Sequence, residues 1–283
     1  MSAPKDVAYG AAPWRQTSWD ARAAGNFIGG GTGAGLIVFT VVASASGMVR
    51  TGLLLIGLVL VAAGLASVAL EMGRPLRAMN VFRHPRRSWM SREAIAALLL
   101  AIFTLAACSG YRVDMLAAAL ALLFVYCQAR LLQAAKGIPA WHEPRIVPLL
   151  VTMSLVEGAG LFWLLAPLHR SGGTRLLLGF AALLLLRAVL CHTYRQRVND
   201  ASPAAGAALG TAVRVLAIGG TLVPIVLIAL AVWLPYSAAM QAIALAGVLA
   251  WIAGAWLKLA IVTRAGFNRG FTLPALPVRG TRA

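Results

Sequence analysis

Acidic residues are scarce in this chain. Its 283 residues hold eight Asp and Glu against twenty-five Lys and Arg, for a formal charge of +17. Charged residues make up 12% of the sequence and hydrophobic ones 60%, where a soluble globular domain is about a quarter charged. That balance excludes an ordinary water-soluble domain and points to a polytopic membrane protein. Cysteine is rare as well. Cys108, Cys127 and Cys191 all fall in apolar stretches without CxxC spacing, whereas zinc and iron–sulfur clusters need closely grouped thiolates or imidazoles. The three read as small buried hydrophobes, and no iron–sulfur cluster is expected in this chain. Period-two alternation between turn signals is missing, which argues against a transmembrane barrel. The first ~24 residues lack an apolar core before a small-residue cleavage site, so the first apolar segment is expected to stay as a helix.

Apolar runs are abundant. A spanning helix needs ~20 mostly apolar residues, and eight such runs occur, at 27–48, 51–72, 93–110, 115–135, 146–167, 176–194, 211–234 and 238–263. The expected fold is an all-α polytopic membrane protein with eight transmembrane helices. It divides into an N-terminal segment 1–26, a membrane domain 27–263 and a C-terminal tail 264–283. Val49-Arg50 and Tyr111-Arg112-Val113-Asp114 are short links that imply antiparallel hairpins. Gly33-Ala34-Gly35-Leu36 and Gly158-Ala159-Gly160-Leu161 repeat the same four letters in the first and fifth runs, a mark of two four-helix bundles.

A charge of +17 raises nucleic acid as a partner, but the arginines lie in short segments between apolar runs, the pattern of the positive-inside rule. Seventeen of the twenty-five cations fall in the N-terminus, the loops at 73–92, 136–145 and 195–210, and the C-terminal tail; only Arg50, Arg112, Arg170 and Arg175 lie on the other side. The lipid bilayer is therefore the expected partner and nucleic acid is not, with both termini and the basic loops in the cytoplasm. A face built to dock an acidic partner would also be basic.

Glycine is concentrated in GNFIGGGTGAG, which places Gly25, Gly29 and Gly33 four apart with Gly31 and Gly35 offset. That spacing lets helix backbones approach closely. A phosphate-cradling loop would need a preceding strand, and a P-loop a following Lys-Ser/Thr; neither is present.

Ionisable residues inside a bilayer are costly and tend to be functional. Arg130, Arg187 and Lys258 are expected to snorkel toward the basic interface. Glu157 lies mid-helix, either neutral, paired with a buried arginine such as Arg214, or engaged in proton movement. Glu71 closes the second run and Glu93 opens the third. Between them EMGRPLRAMNVFRHPRRSWMSRE packs six arginines and a histidine. Ser91 is the expected N-cap, which would place Glu93 in the first turn, where the helix end favours its ionised form and desolvation opposes it. The two carboxylates are the candidate proton acceptors. His84 and His142 lie in basic loops, and only His192 approaches the position of an axial haem ligand, so haem is not expected.

The stretches Glu71–Asn80, Ser88–Glu93, Gly137–Arg145 (GIPAWHEPR) and Lys258–Gly280 together resemble the membrane anchor subunits of DMSO reductase-type molybdoenzymes. Gln16–Gly35 resembles the anchor branch that includes the polysulfide and nitrite reductase-associated subunits. The resemblance covers about Trp14 to Gly280. It implies eight helices, no haem, and a quinol or quinone (menaquinone or ubiquinone) bound near an iron–sulfur electron-transfer subunit, which in turn serves a molybdopterin catalytic subunit. The chain would then be a quinone-reactive subunit of an oxidoreductase in a bacterial inner membrane. The family's quinol-site carboxylate maps onto Glu93. Where those anchors tend to carry a histidine this chain has Glu71, so Glu71 or His84 stands in for it. Arg74, Arg77 and Trp89 would line or orient the head group, with Ser91 and His142 beside them. DMSO reductases of this type commonly work outside the cytoplasm, whereas the charge count favours a cytoplasmic relative such as the phenylacetyl-CoA:acceptor oxidoreductases, which have similar anchors. The rival readings are a secondary transporter built on Glu157 and Arg214 and a haem-b cytochrome subunit.

Overall fold

A computed structural model describes residues 12–69, 80–169 and 173–270. Eight helices are long and apolar enough to cross a membrane: α1 Ala21–Val42, α2 Gly47–Ala69, α3 Trp89–Cys108, α4 Asp114–Gln133, α5 Ile146–Leu164, α6 Thr174–Ala201, α7 Pro203–Trp233 and α8 Tyr236–Thr263. No strand occurs among the described residues, apart from one isolated bridge between Arg15 and Phe267. The all-α, eight-helix expectation holds.

Helix ends follow local chemistry. Asp20 caps α1, its carboxylate accepting from the Arg22 amide at 2.7 Å, so α1 starts before the apolar run counted from residue 27. Arg22 beside it holds the Asp20 carboxyl below its ordinary range. The first hairpin does not turn at Val49-Arg50. Those residues lie inside α2, and the chain reverses between Val42 and Gly47, where Ser44 and Gly47 take positive φ. Arg50 instead projects to α4, its Nε donating to Asp114 at 2.8 Å. α3 ends in a turn of Schellman type: Gly110 has φ +95, and the Tyr111 amide reaches back to the Ala106 carbonyl at 3.2 Å, a geometry glycine adopts without strain. The expected 195–210 loop is almost wholly helical. α6 runs through Arg195 and Arg197 to Ala201 and breaks only at Ser202, held extended (φ −155, ψ 91) by the proline that opens α7.

α1 to α4 close into one four-helix ring and α5 to α8 into a second; the rings join mainly along α1 and α5. The two GAGL segments form this joint. A Cβ on Gly35 would strike the Ser154 carbonyl, and one on Gly158 would strike the Gly35 backbone. Gly33 and Gly29 face α2 in the same way, at Gly57 and Gly64, while Gly160 meets Gly247 of α8. Without bulk on these faces the backbones approach directly, the packing available where lipid gives helices no hydrophobic reason to associate. α5 and α1 are the most buried spans and α6 and α2 the least. Exposed apolar side chains such as Leu98, Ile102 and Leu105 on α3 suit contact with lipid tails.

Candidate functional site

Ser88 caps α3. Its backbone is extended and its Oγ accepts from the Ser91 amide at 3.4 Å. The expected cap, Ser91, is instead the third helical residue and is buried, because the chain leaves its turn at Ser88, whose amide bonds the His84 carbonyl at 3.0 Å. Glu93 consequently sits in the second turn, beyond the reach of the free amides at the helix end, and is only 3% exposed. Its partner comes from α1: Asn26 Nδ2 donates to Glu93 Oε1 at 2.8 Å. Gln128 of α4 donates to the Asn26 carbonyl at 3.0 Å and its amide also faces the Glu93 carboxylate. Asn26 Oδ1 is buried without a hydrogen-bond partner among the described residues.

One turn before Glu93, Trp89 lies between two guanidinium groups. Arg92 stands 4.2 Å from its ring and Arg130 of α4 stands 4.9 Å away; Tyr126 packs edge-on at 5.9 Å. Cation–π attraction of this kind orients the indole and both cations. Arg92 also donates to the Pro85 and Arg86 carbonyls at 2.8 and 2.9 Å, folding the exposed basic turn of Arg83, His84, Arg86 and Arg87 back over the start of α3.

A second buried cluster lies on the far side of α1. Glu157 (α5), Lys258 (α8) and Arg187 (α6) are at most 1% exposed. Lys258 Nζ lies 2.8 Å from Glu157 Oε2, and Thr32 of α1 donates to the same oxygen at 3.0 Å. Arg187 reaches the Ala250 carbonyl at 2.8 Å and also bonds the Gly220 carbonyl. The snorkelling expected of Arg187 and Lys258 is therefore incorrect: both point into the protein, where carbonyls and a carboxylate replace water. Arg130, half-buried, does lie toward the basic end. Arg214 is exposed, so the expected Glu157–Arg214 pair does not form and Lys258 takes that place.

Both clusters use π-helical turns. One spans Asn26–Gly30 in α1 and the other Ile218–Leu222 in α7. In α1 the Gly31 amide bonds the Ile28 carbonyl, which leaves the Phe27 carbonyl for Lys258 at 2.8 Å. In α7 Pro224 has no N–H to offer the Gly220 carbonyl, which Arg187 takes instead. Turns of this type open a helix and gather at functional positions.

A family model described as DMSO reductase anchor subunit (DmsC) matches residues 23–253, a span that holds the Glu93 cluster, Glu157 and Arg187 but stops short of Lys258 in the last turns of α8. The chain belongs to the DMSO reductase anchor subunit (DmsC) family. It is a multi-pass membrane protein and the anchor subunit of a DMSO reductase-type complex. No curated protein matches the chain.

Of the site residues expected in this DmsC-family anchor, Glu93, Trp89 and Ser91 come together at the start of α3. His84 sits apart on the exposed turn. His142 is half-buried, with Nδ1 2.9 Å from the Gln133 carbonyl at the end of α4. That carbonyl can only accept, so Nδ1 carries the proton and the ring fastens a helix end. Glu71, Arg74 and Arg77 lie outside the described residues. His192 is exposed and bonds Gln196. Among the described residues no three His, Cys, Asp or Glu side chains gather in a way that could hold a metal ion. Sequence reasoning missed Asn26 and Gln128. Each is an amide inside an apolar or glycine-rich run, a cost that burial imposes unless a partner waits.

Proposed function

We propose that this anchor binds a quinone or quinol beside Glu93 and passes electrons between the membrane quinone pool and an iron–sulfur partner subunit, which serves a molybdopterin catalytic subunit. The observation that carries the reading is the buried Asn26–Glu93 pair at the basic end of α3, where Asn26 Oδ1 has no partner among the described residues. A quinol has two hydroxyls to donate. Oxidising it releases two electrons and two protons, so its site needs acceptors for both. Asn26 Oδ1 accepts a hydrogen bond from one hydroxyl, and the Glu93 carboxylate takes the two protons in turn, releasing the first toward the basic end before the second arrives. Trp89, clamped by Arg92 and Arg130, supplies an aromatic wall for a flat head group. The electrons leave to the partner's cluster; in quinone reduction the same steps run in reverse.

The exposed arginines 83, 86 and 87 border this site and form the docking surface for an acidic iron–sulfur subunit. By the charge count this end faces the cytoplasm of a bacterial inner membrane. That sidedness suits a catalytic subunit with a cytosolic substrate, such as a coenzyme A thioester in the manner of phenylacetyl-CoA:acceptor oxidoreductases.

Affinity purification of the tagged chain from its native membranes in mild detergent, with mass spectrometry, metal analysis and solvent extraction, tests the reading. Co-purifying iron–sulfur and molybdenum or tungsten subunits, together with extracted quinone, are expected. A lone protein free of metal and quinone, from an extract in which other complexes survive, would overturn it in favour of a transporter.

A further inference from the structure

The buried Glu157–Lys258 pair takes no part in the proton and electron steps proposed above, yet it is tied to the Glu93 site through consecutive residues of one helix. Lys258 has three N–H groups and finds three acceptors: Glu157 Oε2 at 2.8 Å, Ser154 Oγ at 3.0 Å and the Phe27 carbonyl at 2.8 Å. Phe27 belongs to the π-turn Asn26–Gly30. The preceding residue, Asn26, holds Glu93 from the opposite side of the helix.

Gly30 and Gly31 make the arrangement possible. A Cβ on Gly30 would come within 2.6 Å of Gln128 Nε2, and one on Gly31 would come within 2.5 Å of Lys258 Nζ. The bare backbone of α1 thus separates the two clusters by a single helix wall.

We propose that Lys258, fixed by Glu157 and Ser154, is a positioning residue for the quinone site: it holds the π-turn of α1 open and so directs Asn26 onto Glu93. The inference rests on the quinone-site reading above. Its physical basis is hydrogen-bond accounting. In a regular α-helix the Phe27 carbonyl would bond the amide four residues on. The π-turn keeps one extra residue in the helix only while another donor satisfies that carbonyl. If the turn closed, everything on its N-terminal side would rotate by about 100°, the advance of one helical residue. Asn26 would leave Glu93, and the carboxylate would lose its donor from α1.

The test is a binding cycle on the purified full-length chain, with decylubiquinone and menaquinone-4 as probes and tryptophan fluorescence as the signal. The variants are Asn26→Ala, the neutral pair Glu157→Gln with Lys258→Met, and the three substitutions combined. The pair variant removes both charges of the ion pair together, and Arg187 keeps its bonds to the Ala250 and Gly220 carbonyls. Asn26→Ala and the pair variant are each expected to weaken binding about tenfold, and the triple variant to bind no more weakly than Asn26→Ala, because both act through one contact. Ser154→Ala, which removes one support of Lys258, replaces the pair if the pair fails to fold, with about threefold weaker binding expected. Wild-type binding in the pair variant, or effects that multiply in the triple variant, would overturn the positioning role while leaving the quinone site standing. If neither probe binds the wild-type chain, or Glu93→Gln binds both unchanged, the quinone-site reading itself fails and the positioning role falls with it.

Discussion

Asn26 Nδ2 lies 2.8 Å from Glu93 Oε1, joining the π-turn of α1 to the second turn of α3 in a place closed to solvent. Two short runs of sequence, one glycine-rich and one arginine-rich, meet at this bond. Replacing Asn26 with leucine leaves a buried carboxylate without this donor. An unmet buried polar group costs about 1–3 kcal/mol, and more for a charged one. A lower unfolding temperature in detergent is expected; an unchanged melt would show that Glu93 draws its support from elsewhere.

The Glu157–Lys258 pair makes a sharper stability prediction. Removing one partner of a buried pair costs about 3–5 kcal/mol, whereas replacing both by uncharged side chains is often close to neutral. Glu157→Gln alone leaves Lys258 and Arg187 as two buried cations and should therefore destabilise the chain far more than Glu157→Gln with Lys258→Met. Denaturant titration of the four proteins in the cycle measures the coupling. A loss in the double variant equal to the sum of the two single losses would mean that the pair contributes nothing as a pair.

Glycine positions divide into two groups. Gly158→Ala drives a methyl into the Gly35 backbone and should prevent α1 from seating on α5, with little folded protein recovered. Gly52→Ala, in α2, meets nothing within 4 Å and should leave the melt unchanged or raise it slightly, since alanine favours helix by up to about 1 kcal/mol over glycine. Size-exclusion recovery and thermal melts of both variants decide the point. Normal folding of the Gly158 variant would contradict the α1–α5 joint.

Reversing the charges of Arg86 and Arg87 to glutamate should release the proposed iron–sulfur partner from membranes without disturbing the anchor, because both side chains are exposed. Immunoblots of washed membranes read the result. A partner that stays bound would move the docking surface to another part of the basic end.

The fold was largely legible because apolar length is a direct physical requirement for crossing lipid, and the eight runs supply it. The repeated Gly-Ala-Gly-Leu pointed to two four-helix units but not to the fact that the two copies touch, since close approach of backbones leaves no side chain to read. Turn positions at Val49-Arg50 and 195–210 were misplaced because polar residues need not end a helix: Arg50 bonds Asp114 and stays helical. Glu93 stood out through its arginine-rich neighbourhood. Asn26 did not, because its role depends on a π-turn that breaks the 3.6-residue period used to assign helix faces. Lys258 was misread for a related reason: side-chain length allows snorkelling, but three waiting acceptors across the helix interface hold the ammonium inside.

The most direct test of the account compares two electron routes in the intact complex. Glu93→Gln should abolish quinone-linked electron transfer, by about a hundredfold or more as for loss of a general acid–base group. The same complex, still on the membrane, should keep its activity with a soluble artificial mediator that bypasses the anchor. Loss of the quinone route alone is the expected result. Equal activity of the Glu93→Gln and wild-type complexes with quinone would contradict the claim that this carboxylate serves the quinone site.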